Sequence, residues 1–62
     1  MTAADHTARL TRITDRLALA IDEAETSGRS YTKRRQAVTR MRLELEELRD
    51  LTRAIAEDAE DA

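Results

Sequence analysis

Three groups of side chains could do chemistry. His6 is the only histidine and stands beside Asp5. An imidazole next to a carboxylate can relay a proton or ligate a metal, but either task needs further groups converging on it, and none is evident. So close to the start of the chain, His6 is expected to be solvent-exposed. Glu44, Glu46, Glu47 and Asp50 resemble the paired carboxylates of an acid–base enzyme, but on one amphipathic helix they are expected to form a solvated or subunit-contacting face. The third group is Arg29, Lys33, Arg34, Arg35, Arg40 and Arg42, six cations with no acid among them. Clustered lysine and arginine displace counterions from DNA without reading bases. The same cluster could equally meet an acidic neighbouring protein, including the acidic tail of an adjacent copy, or be a solvated loop with generic cations.

Other chemistry is missing from the pattern. There is no glycine-rich phosphate loop, no nucleophile elbow, no metal-ligand spacing and no cysteine. The expectation is a protein that is not an enzyme, with no cofactor, no metal and no small-molecule substrate. The basic block remains as the functional candidate.

The charge is distributed in blocks. Residues 1–28 carry five acids and three arginines, residues 29–42 carry only the six cations, and residues 43–62 carry eight acids and two arginines. The formal net charge of −2 therefore hides a basic waist and an acidic tail. No window approaches the roughly 18 consecutive apolar residues of a membrane span, and the first residues lack the pattern of a signal peptide. A soluble, intracellular protein with no membrane partner is expected.

At 62 residues one small domain is expected, and no disulfide or proline braces it. A chain this short buries only about 60% of its unfolded surface, so helix packing or assembly has to supply stability. Leu10, Ile13, Leu17, Ile21 and Ala24 recur at spacings of three and four, which predicts a helix over about 6–26 with Asp5 or Thr7 as N-cap. Gly28 suits the left-handed conformation that closes it. Met41, Leu45, Leu48, Leu51 or Thr52, and Ile55 predict a second helix over about 40–58, with Thr39 as N-cap and a frayed acidic tail at 59–62. Arg40 and Arg42 in its first turn and acids in its last oppose the helix dipole.

Between the helices, Ser30-Tyr31-Thr32 and Ala37-Val38-Thr39 carry β-branched or aromatic residues on either side of a polar bend. They predict a small β-hairpin at about 29–38. The fold class expected is therefore α+β, helix–β-hairpin–helix, with the helices antiparallel. The expected core is Leu10, Ile13, Leu17, Ile21, Tyr31, Val38, Met41, Leu45, Leu48, Leu51 and Ile55. Leu19 and Leu43 lie off the stripes and are candidates for subunit contact.

The run Ser30-Tyr31-Thr32, a short turn, then Val38-Thr39-Arg40 leading into an acidic, leucine-bearing helix resembles the head-to-tail joining protein W (gpW) family of small tailed-phage proteins. The resemblance covers roughly Leu17 to Ile55. It implies a structural virion protein, a head-completion or head-to-tail connector subunit. Such a subunit is made in the host cytoplasm and sits in the virion neck, beneath the portal, where it joins the DNA-filled head to the tail. The implied partners are the portal, other neck and tail proteins and further copies in a ring, about twelve by that resemblance. Arg29, Lys33, Arg34, Arg35, Arg40 and Arg42 would then contact the portal or, non-specifically, packaged DNA. The alternative from another class is a plain helical hairpin that dimerises into a four-helix bundle and acts as a nucleic-acid-binding regulator.

Overall fold

The computed structural model describes residues 2–61 and contains two helices, α1 (Ala3–Glu25) and α2 (Tyr31–Asp61), joined by a five-residue turn and packed side by side as an antiparallel hairpin. α1 begins earlier than Asp5 or Thr7 would place it. Thr2 is the N-cap in a capping box: its hydroxyl accepts from Asp5 N–H at 3.2 Å, and the Asp5 carboxylate accepts from Thr2 N–H at 3.2 Å.

The principal correction is at 29–38. Among the described residues there is no strand, and Tyr31 to Val38 form the first two turns of α2. The fold is therefore all-α, and the expected α+β class with its β-hairpin does not hold. The reasons are local. Ser30 caps the helix, its hydroxyl accepting from Lys33 N–H at 3.3 Å and its carbonyl from Arg34 N–H at 3.1 Å. Lys33, Arg34, Arg35, Gln36 and Ala37 are all good helix formers. A two-residue hairpin turn would also have needed positive φ at that bend, which arginine adopts only at a cost. Thr39 is not an N-cap; its hydroxyl donates back to the Arg35 carbonyl at 3.0 Å within the helix.

The stop at the end of α1 is where the glycine placed it. Gly28 has φ of 60°, and Ser30 N–H closes the turn onto the Ser27 carbonyl at 3.1 Å. At the other end α2 continues through Ala59–Asp61, so the tail expected to fray from 59 is helical; Ala62, like Met1, lies outside the described residues.

The two helices meet along a seven-residue repeat. His6, Ile13, Ala20 and Ser27 are the buried residues of α1 and its end, and Ala37, Glu44 and Leu51 are those of α2. His6 Nε2 lies 2.6 Å from Asp58 Oδ2, which sets the register. Stepping seven forward on α1 and seven back on α2 then places Ile13 with Leu51, Ala20 with Glu44 and Ser27 with Ala37. Ala20 and Ala37, both fully buried, leave room for close approach of the backbones.

Most of the expected core lies outside that strip. Ile13 and Leu51 are buried, and Leu17, Met41 and Leu48 are half-buried. Leu10, Ile21, Tyr31, Val38, Leu45 and Ile55 are exposed. Two helices can bury only a narrow line of side chains between them, and here that line falls one heptad position to the side of the leucine stripes. The molecule is correspondingly thin, 50 × 16 × 11 Å, with a radius of gyration of 14.5 Å against about 11 Å for a compact chain of this length.

Candidate functional site

The hairpin has two unlike faces. Because α1 and α2 run in opposite directions, a step of three residues from the buried positions turns each helix toward one side, and a step of four turns each toward the other. The step of three leads to Arg16, Glu23, Arg40 and Glu47, and these residues pair across the helices. Arg16 Nη1 lies 3.5 Å from Glu47 Oε2, and Arg40 Nη1 lies 3.5 Å from Glu23 Oε1. Arg16 also stands 3.9 Å from Glu44 Oε1. Glu44 is buried between the helices, and its other oxygen has no hydrogen-bond partner. Leu19 and Leu43, exposed as expected of off-stripe residues, stand on this charged side.

The step of four leads to an apolar surface. α1 contributes Leu10, Leu17 and Ala24, flanked by Thr14 and Ile21; α2 contributes Met41, Leu48 and Ile55, flanked by Val38, Leu45 and Thr52. On α2 these positions alternate three and four apart from Val38 to Ile55, which is the a/d pattern of a helix that packs against a further helix. The polar members of the surface are already satisfied. Thr14 donates to the Leu10 carbonyl at 3.0 Å and Thr52 to the Leu48 carbonyl at 2.9 Å, so both can be covered with no hydroxyl left unpaired.

The hairpin exposes more surface than a compact chain of its mass. A compact monomer of 7.0 kDa exposes about 4,000 Å², whereas this hairpin exposes 4999 Å². The excess of about 1,000 Å² reflects the thin, elongated shape of a two-helix hairpin.

The basic block does not form one patch. From the His6–Asp58 register, Ala37 stands level with Ser27, so residues 31–36 project past the end of α1 as a tip. Arg29, Lys33, Arg34 and Arg35 gather there, beside the 70% exposed ring of Tyr31. Arg34 is engaged in the turn, its Nη2 donating to the Gly28 carbonyl at 2.6 Å. Arg40 is held by Glu23, and Arg42 lies two turns down the outward side of α2. Arg29, Lys33 and Arg35 are exposed, with no ion pair among the described residues. Tyr31, expected to pack between hairpin and helices, has no core to enter once its segment is the free first turn of α2.

His6 also departs from expectation, since it is buried. Its Nε2 lies 2.6 Å from Asp58 Oδ2, and its Nδ1 is buried without a hydrogen-bond partner. The pair joins the open ends of the two helices. Among the described residues no three His, Cys, Asp or Glu side chains converge to hold a metal, and no helix is long and apolar enough to cross a membrane. The sequence signal for the inner strip was the seven-residue spacing of Ile13, Ala20 and Ser27 and of Ala37, Glu44, Leu51 and Asp58, masked by the small and polar residues that occupy it. Comparison with protein-family models, with curated proteins and with solved structures finds no match to this chain.

Proposed function

We propose that this chain is an assembly protein that acts without catalysis: a helical hairpin that pairs through its apolar face with a second copy, forming a four-helix bundle. The observation that carries this is the contrast between the two faces. Ion pairs cross-link one of them, while the other exposes Leu10, Ile21, Val38, Leu45 and Ile55 around half-buried Leu17, Met41 and Leu48. An isolated hairpin in which, among the described residues, Ile13 and Leu51 are the only large apolar side chains buried has little core to hold it. Stacking a second apolar face on the first supplies it. The test is sedimentation equilibrium across the micromolar range. A species of twice 7.0 kDa is expected, with thermal stability that rises with protein concentration. A well-folded monomer whose melting is independent of concentration would refute the proposal.

The phage connector reading rested on strands at 30–32 and 37–39, whereas Ser30 caps α2 and the other residues of both runs lie within it. A regulator built on the same dimer has one observation in its favour, the exposed Arg29, Lys33 and Arg35 at the tip. Its signature would be binding to duplex DNA that collapses steeply between low and moderate salt.

A further inference from the structure

We infer that the two copies stack with their turns at opposite ends, so that the basic tip of each hairpin lies over the acidic open end of the other. This rests on the self-association reading and adds its geometry. Each hairpin is an electric dipole along its 50 Å axis. Arg29, Lys33, Arg34 and Arg35 crowd the tip, and Asp5, Glu57 and Glu60 are exposed at the open end, where Asp58 also sits. Stacking with both turns at one end would bring two tips together and two acidic ends together, with like charges opposed at each. Reversing one copy replaces both repulsions with attractions.

The apolar face accepts the reversed arrangement. Laid antiparallel along its own copy over its whole length, the a/d row of α2 is self-complementary: Val38 meets the second copy's Ile55, Met41 its Thr52, and Leu45 its Leu48. In the same register Arg35 stands level with the second copy's Asp58 and Glu57, and Lys33 with its Glu60. Arg42 stands level with the second copy's Leu51 and Arg49 with its Glu44, with Glu46 of each copy at the middle of the row. The basic tip is then an assembly contact, and phosphate binding is a separate outcome that the test can reveal.

The experiment uses the absence of cysteine. A Thr32→Cys variant, at an exposed position on the tip, is labelled with a nitroxide, and the label-to-label distance in the dimer is measured by pulsed electron resonance. Sedimentation on the same sample gives its mass. Opposite turns place the labels about 40 Å apart, from the 1.5 Å rise per residue, whereas turns at the same end place them within about 20 Å across the bundle. A dimer with the long distance is the expected result. A dimer with the short distance overturns the orientation and leaves self-association standing, and a monomer overturns both. Salt gives an independent sign: raising it from about 0.05 to about 0.5 M should weaken the dimer several-fold, because attraction between the ends is screened. A dimer that tightens with salt overturns the reversed stacking. Duplex DNA that binds at low salt and leaves the dimer intact would show the tip free of the second copy's acids, which also overturns it.

Discussion

Leu45 offers the sharpest test of the apolar face. It lies at the middle of the α2 row and is 53% exposed, whereas Leu51, only six residues away, is 1% exposed. Burying a leucine fully contributes about 1.5–3 kcal/mol, so covering the remaining half of Leu45 contributes about 0.8–1.5 kcal/mol per copy. Two symmetric copies make that about 1.5–3 kcal/mol of dimer stability, or roughly a 10- to 150-fold rise in dissociation constant for Leu45→Ala. Alanine is the better helix former, so the substitution should leave each hairpin's helicity intact. Leu51→Ala is the contrasting perturbation: it opens a cavity inside each hairpin and should cost about 2–5 kcal/mol in any state of association. The assay is sedimentation equilibrium for the constant, with circular dichroism at a protein concentration high enough to keep both variants associated. Expected is a helical Leu45→Ala protein that dissociates at lower dilution than the parent. If its dissociation constant stays within about threefold of the parent, the Val38–Ile55 row is not the interface and the two-copy reasoning fails.

Other perturbations probe the parts separately. Gly28 has positive φ, and a Cβ placed on it would meet nothing within 4 Å, so Gly28→Ala should cost about 1–2 kcal/mol through the backbone alone. Gly28→Asn, better suited to that conformation, should cost less in the same thermal melts, and equal losses would mean that space is the constraint. Glu44→Leu replaces a buried carboxylate that lacks a full set of partners, and denaturant titration should find it neutral or up to about 4 kcal/mol more stable. A clear loss would show Glu44 held by a contact beyond Arg16. The Asp5 carboxyl is held below its usual range, chiefly by the hydrogen bond from Thr2 N–H and then by the Thr2 hydroxyl. A lowered folded value means its contribution is present above the unfolded pKa and lost as pH falls through the folded one. Amide signals of the first turn of α1 should therefore shift as the solution is acidified below the ordinary carboxylate range. Asp5→Asn should abolish that step, and an unchanged acid transition would assign it to another group.

Much of this architecture was legible in the residues. Leucine and isoleucine at spacings of three and four mark both helices, and Gly28 after Ser27 marks the break between them. The stretch 31–38 was not legible because its signals compete. Tyr31, Thr32, Val38 and Thr39 favour strands, but a strand preference expresses itself only against a sheet, and an isolated two-stranded hairpin is marginal in water. Helix preference at Lys33 to Ala37 needs no such support, and the Ser30 cap adds to it. The charged cluster misled in another way, since adjacency in sequence suggested one patch. On a helix those side chains point in different directions, and Arg34 and Arg40 are each engaged by the hairpin itself.

The side of each helix that faces its neighbour was the other point hidden in the sequence, and it bears on function. In a two-helix protein stable by itself, the largest apolar residues should face inward. Here the inner strip contains Ala20, Ala37, Ser27, a buried Glu44 and the His6–Asp58 pair, while Leu10, Leu45 and Ile55 face out. That order is perverse for a monomer and ordinary for half of a four-helix bundle. There the a and d positions of all four helices make the centre, and the strip between α1 and α2 becomes a boundary where small and polar residues are tolerated. Glu44 and Arg16 then form a flank that borders the core, and the threonines whose hydroxyls are tied to their own helix turn methyl groups inward. On the proposed reading, a second copy of the hairpin supplies the core that one copy lacks.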